Sequence, residues 1–261
     1  MMQPKLNRLL QPHYRKGPDY RCGENVSFRE VRDQFELAGV TIGRWVSRAE
    51  QQQAANLVFD AMADLAFILN VPPKVIGLRG QLQLAFGHGG SPTAQAHYAP
   101  GSRTLALAKN AGVGAFAHEW AHAFDNHIAT KAFVHANTPI QFASHLWVRQ
   151  RPMKPHPLND ALADFFDAVF VPAGEAHGAF LTNALALDKR MGRRYFSVPT
   201  ELMARAFEAA IQRHDDIKNH YLVSGTQQSQ LAKAGAYPSP AHVKEIQASL
   251  LRYFERLGQL L

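Results

Sequence analysis

Apolar positions along the chain recur mostly at three- and four-residue steps, the period of helices that turn one face to a core. The clearest stretch, residues 47–70, places Ala54, Leu57, Val58, Ala61, Met62, Leu65, Ile68 and Leu69 at that spacing and runs into Val71-Pro72-Pro73. Residues 158–170 repeat it through Leu158, Ala161, Leu162, Phe165, Phe166 and Val169, and residues 203–211 do so again. Residues 240–261 form a last amphipathic stretch through Val243, Ile246, Leu250, Leu251, Phe254 and Leu257. Ser27-Phe28-Arg29-Glu30 has the capping-box form, in which Ser27 and Glu30 satisfy each other's backbone donors, and it predicts a helix to about Ala38, stopped by Gly39. A further helix is expected over residues 111–127, entered through Gly112 and Gly114.

The pattern changes to period two over residues 78–86, where Leu78, Leu82, Leu84 and Phe86 alternate with Gln81 and Gln83, as in a half-buried strand. A Gly/His/Ser/Pro loop over residues 87–93 follows. His97-Tyr98 and residues 103–109 are also extended, and the turn Pro100-Gly101-Ser102 between them allows an antiparallel pair. Pro152-Met153-Lys154-Pro155-His156-Pro157 reads as a loop, since each proline removes a backbone donor and fixes its own φ. The class is therefore α+β: predominantly helical, with a small antiparallel or mixed sheet. There is no internal repeat.

A chain of 261 residues with 46% hydrophobic content can bury a core of ordinary size. The single cysteine, Cys22, excludes an internal disulfide and favours a reducing compartment. No apolar run approaches membrane length, so a soluble, cytoplasmic protein without membrane contact is expected. The net charge of +7 leaves room for a polyanionic partner. Lys5, Arg8, Arg15, Lys16 and Arg21 make a basic N-terminal arm, and Lys189, Arg190, Arg193 and Arg194 make a second basic run. Solvated surface is the simpler account of both, with weak nucleic-acid contact as the alternative.

The chemistry concentrates in His118-Glu119-Trp120-Ala121-His122. Residues four apart stand one above the other on a helix, so His118 and His122 can offer ring nitrogens to one tetrahedral zinc ion. Glu119, turned about 100° from His118, is placed as general base for a zinc-activated water in peptide-bond hydrolysis. Phe116, Trp120, Ala123 and Phe124 occupy the opposite face and are expected to pack. Asp125 falls on the histidine face one turn later and is a candidate outer partner of a ligand; His127 points to the packed side and is rejected.

A third protein ligand is needed if a fourth position is to stay open. The extended metzincin pattern would need Gly at position 125 and His at 128, where the chain has Asp125 and Ile128. The better source is the helix that Pro199 begins, whose Glu201, Arg205 and Glu208 share a face opposite Met203, Ala206, Phe207 and Ala210. Glu201 is preferred and Glu208 is the fallback. Tyr195, His220 and Tyr221 are candidate oxyanion donors, and the His97-Tyr98 strand is a candidate edge for pairing with an extended peptide.

Gly43-Arg44-Trp45-Val46, Leu84-Ala85-Phe86-Gly87, Ala96-His97-Tyr98, Ala117-His118-Glu119-Trp120-Ala121-His122 and the stretch from Glu201 to Glu208 together resemble the CLCA-X family and the related large polyvalent protein-associated domain. The resemblance runs from about Gly43 to the C-terminus. It implies a zincin-like metallopeptidase domain over residues 43–261, with His118, His122 and Glu201 as zinc ligands and Glu119 as the catalytic glutamate, preceded by a basic arm and short helix over residues 1–42. The competing expectation is a zincin-fold binding module, associated with nucleic acid through its basic segments, whose metal is structural or absent.

Overall fold

The computed structural model describes residues 9, 11–88, 96–109, 114–171 and 175–261. The expected Gly112 helix entrance, most of the 87–93 loop, and Lys5 and Arg8 of the basic arm lie outside them. The elements run β1 (Arg15–Lys16), α1 (Phe28–Phe35), β2 (Gly39–Ile42), α2 (Arg48–Leu69), α3 (Pro73–Ile76), β3 (Gln83–Phe86), β4 (Ala96–Ala99), β5 (Thr104–Leu107), α4 (Phe116–Ala132), α5 (Ala143–Val148), α6 (Pro157–Phe170), α7 (Glu175–Met191), α8 (Pro199–Gln212), β6 (Lys218–Asn219), α9 (Gln230–Lys233) and α10 (Pro240–Gly258). Helix dominates, and the α+β class holds. Among the described residues no helix is long and apolar enough to cross a membrane.

Two capping boxes fix the first long helices. Ser27 with Glu30 starts α1, and Ser47 with Glu50 starts α2. α1 is shorter than its sequence predicts: it ends at Phe35, where Glu36 takes left-handed backbone (φ 49°), and Gly39 opens β2 instead of closing the helix. A Cβ at Gly39 would come within 2.6 Å of Gln83 Oε1 on the neighbouring strand, a flexible side-chain end that could shift to make room. The strand expected over 78–86 shrinks to Gln83–Phe86, since Leu78 and Arg79 turn the chain with positive φ after α3. Leu84, Ala85 and Phe86 are all buried, so β3 is covered on both faces rather than half-buried. This follows from its interior position in a mixed four-stranded sheet of order β2-β3-β5-β4. β3 is parallel to both β2 and β5, while β4 and β5 pair antiparallel as expected, with Ala96 opposite Leu107 and Tyr98 opposite Leu105.

β1 and β6 form a separate two-stranded antiparallel ribbon. Two cations of the basic arm are neutralised here. Arg15 grips Asp64 with two hydrogen bonds of 2.8 Å, and Arg21 grips Asp60 at 2.9 and 3.0 Å. Asp64 also accepts from Asn219 Nδ2 at 2.8 Å, which ties the ribbon to α2.

The core lies between the sheet and the helices, and Trp120 of α4 sits deep within it. Its ring is fully buried, stacks on Phe124 at 5.6 Å, and lies 5.4 Å from Phe207 of α8 and 6.2 Å from Phe254 of α10. Its Nε1 donates to the Ile76 carbonyl at 2.8 Å, so the buried indole leaves no polar atom unpaired. α4 packs against β4 and β5 on one side and against α8 on the other. This layering brings the two chemistry-bearing helices together.

Candidate metal centre

α4 starts without a side-chain cap. Gly114 turns into it at φ +94°, and a Cβ there would fall 2.3 Å from the Ser224 backbone nitrogen. The Ala117 N–H then donates to the Leu222 carbonyl at 2.9 Å, docking the first turn of α4 on the 221–224 segment. α8 starts at Pro199, as the sequence predicts, and its approach is locked by a residue that sequence reasoning passed over. The buried Asp188 carboxylate accepts from the backbone N–H groups of Tyr195, Phe196 and Ser197 and from the Ser197 hydroxyl, at 2.6 to 3.0 Å. An acid followed by a Ser-x-Pro helix start was the available sequence signal.

With both helices placed, His118, His122 and Glu201 converge, each offering one donor atom within 4.8 Å of the others. The two Nε2 atoms are 3.2 Å apart, His118 Nε2 is 3.5 Å from Glu201 Oε2, and His122 Nε2 is 3.4 Å from Glu201 Oε1. Ligands about 2.0–2.1 Å from a tetrahedral ion are separated by roughly 3.3 Å, and these separations, two of them to different oxygens of the Glu201 carboxylate, lie near that value. Glu201 Oε2 is buried without any hydrogen-bond partner, as an acceptor meant for a cation would be. This group can hold a metal ion.

Glu208 takes a different part from the fallback ligand foreseen for it. Its Oε1 meets His118 Nδ1 at 3.2 Å, on the far side of the ring from the donor triangle. A carboxylate there holds the proton on Nδ1 and leaves the Nε2 lone pair for a metal. Glu201 and Glu208 are seven residues apart and so share a helix face, but only the packing of α8 on α4 decides which one reaches which nitrogen.

Burial lowers the His118 pKa, but the carboxylates of Glu208 and Glu201 outweigh it and lift it to about 10. For Glu201 the order is similar: burial raises its pKa, and His118 and His122 hold it well below the usual carboxylate range. Arg205 is also buried, its guanidinium 3.8 Å from Glu201 Oε2 and sandwiched by Phe196, Tyr237 and Tyr195 at 4.8, 5.3 and 5.7 Å. The buried Glu208 and the partly buried Glu201 carboxylates against one arginine leave an excess negative charge, which a proton or a metal ion must balance.

Glu119 is half-buried beside His118, and no hydrogen bond or ion pair among the described residues engages its carboxylate. Tyr195 stands next to Glu201; burial first, then the Glu201 charge, pushes its phenol to about 12, so its O–H stays a donor at neutral pH. The other candidates lie elsewhere. His220 is exposed and tilts against Tyr14 at 5.2 Å, and Tyr221 is buried with its ring 5.7 Å from His13. Among the described residues no hydrogen bond, ion pair or ring contact joins either to the donor group. Asp125 is buried, and its carboxylate accepts from the Ser144 N–H at 2.8 Å and the Ser144 hydroxyl at 2.5 Å, fastening α5 to α4 rather than bonding a histidine. Burial raises its pKa to about 6. His127 stays outside the group, with burial lowering its pKa to about 3.

Residues 187–261 match the family model of large polyvalent protein-associated domain 1. The match takes in α8 with Glu201, Arg205 and Glu208, and α10 behind it; α4 with His118, Glu119 and His122 precedes it. No curated protein and no solved structure matches the chain.

Proposed function

We propose that this chain is a zinc-dependent metallopeptidase. The observation that carries the reading is the donor triangle of His118, His122 and Glu201 with the unpartnered Glu119 carboxylate beside it. Two imidazoles and one carboxylate are a donor set suited to zinc, and three protein ligands leave a fourth position for the reaction. When bound, the ion supplies Lewis acidity toward a substrate carbonyl and toward water.

The remaining work falls to the chain. Glu119 accepts a proton from the attacking water and returns it to the leaving amine nitrogen as the C–N bond breaks, so that water and one amide become a carboxylate and an amine. Glu208 fixes the tautomer and orientation of His118. The Tyr195 hydroxyl is the nearest candidate to donate to the developing oxyanion. β4 lies against α4 and has a strand partner on one side only among the described residues, so its outer edge suits an extended peptide.

The test is hydrolysis of a mixed peptide pool by zinc-loaded protein and by Glu119→Gln. Cleavage by the wild type, lost in Glu119→Gln with zinc content unchanged, supports the reading; equal cleavage by both, or none by the zinc-loaded wild type, rejects it.

A further inference from the structure

A groove of about 730 Å³ lies beside the start of α8. Its floor is apolar, from Val148 of α5, Phe170 of α6, Leu181 and Leu185 of α7, and Leu202 of α8. Val148, Leu181 and Leu185 are 49%, 45% and 53% exposed, an unusual cost for aliphatic side chains clustered on one surface. The rim is basic. Lys189, Arg193 and Arg194 line it, all exposed, and no carboxylate is ion-paired with any of them among the described residues. The one acid in the lining, Asp188, is saturated by the four donors of residues 195–197.

A smaller hollow adjoins the groove at the start of α8. Val148, Arg194 and Pro199 line both, and His145, Arg149 and Val198 complete the hollow. His145 Nε2 is buried there without a hydrogen-bond partner. The His145 ring is 6.3 Å from Phe142, and Phe142 is 6.5 Å from His122. Pro199 stands two residues before Glu201. A chain laid along α7 and over Val148 therefore reaches the start of α8, two residues before Glu201.

We propose that this groove binds a peptide segment rich in acidic and aliphatic residues, the part of the substrate that flanks the bond to be cut. The apolar floor takes the aliphatic side chains, and the four cations Arg149, Lys189, Arg193 and Arg194 take the carboxylates. The inference rests on the peptidase reading only in treating the segment as substrate. A nucleic acid would use the cations but would leave the aliphatic floor idle.

The experiment is fluorescence anisotropy with a short fluorescein-labelled peptide in which Glu and Leu alternate. One control replaces each Glu by Lys, the other each Leu by Ser. Binding is read without turnover, on wild type and on Glu119→Gln, so a failure of catalysis leaves it unaffected. The Glu-Leu peptide is expected to bind at least about tenfold tighter than either control, and Leu185→Glu and the double variant Arg193→Glu/Arg194→Glu each to weaken it about tenfold or more. Both changes are at exposed positions, and circular dichroism confirms that the fold survives. Equal binding of the three peptides, wild-type affinity in both variants, or stronger binding of a single-stranded oligonucleotide at the same site overturns the proposal.

Discussion

Removing the Glu208 carboxylate tests how α8 prepares α4 for metal. Glu208 is 4% exposed, and its Oε1 lies 3.2 Å from His118 Nδ1. Glu208→Gln keeps the size and one acceptor but removes the charge, whereas Glu208→Ala removes both. Loss of such an outer carboxylate weakens metal binding about 10–100-fold, equivalent to about 1.4–2.7 kcal/mol. Glu208→Ala is expected near the upper end and Glu208→Gln near the lower, because the amide oxygen still accepts from Nδ1–H. The assay is zinc competition against a chromophoric chelator near neutral pH, with circular dichroism to confirm folding. Zinc affinities of both variants within about twofold of wild type would refute the outer role argued for Glu208.

Three other outcomes follow from the same geometry. Trp120→Phe leaves the Ile76 carbonyl without its donor and should cost about 1–3 kcal/mol in urea unfolding; Trp120→Ala, which also opens a cavity, should cost about 3–5 kcal/mol. Asp188→Ala strips four donors of their acceptor and should cost at least about 3 kcal/mol, and because those donors set the start of α8 it should also weaken zinc binding. His127 has a folded-state pKa of about 3 against an ordinary 6.5, chiefly through burial and then through Lys131, Arg103 and Arg79. A depressed histidine contributes stability that is full above 6.5 and is lost as pH falls toward about 3, so His127→Asn should unfold with a shallower pH dependence in that window than wild type.

Where local chemistry decides the structure, the sequence was readable. The Ser47/Glu50 capping box and the period of residues 54–69 place α2, and Pro199 places α8. The strand over 78–86 ran too long because Leu78 and Arg79 turn the chain with positive φ, and its burial on both faces was not legible because its partners β2 and β5 come from other stretches of the chain. α7 escaped because Phe180, Ala184 and Leu187 face the core while Leu181, Leu185 and Met191 are exposed, so the apolar period is blurred by the side chains that floor the groove. At the candidate metal site, His118 and His122 were legible from their spacing and Glu201 from its helix. The parts assigned to Glu208, Asp188 and Ser144 were not, because each depends on which helix packs against which.

The central claim is that one divalent ion sits between α4 and α8. Elemental analysis of the purified protein, dialysed against zinc and then against buffer, measures it directly. The account predicts about one zinc per chain in wild type and in Glu119→Gln, and almost none in His122→Ala or Glu201→Ala, with all four folded. Wild-type protein that retains no metal, or a His122→Ala variant that retains as much as wild type, would contradict it.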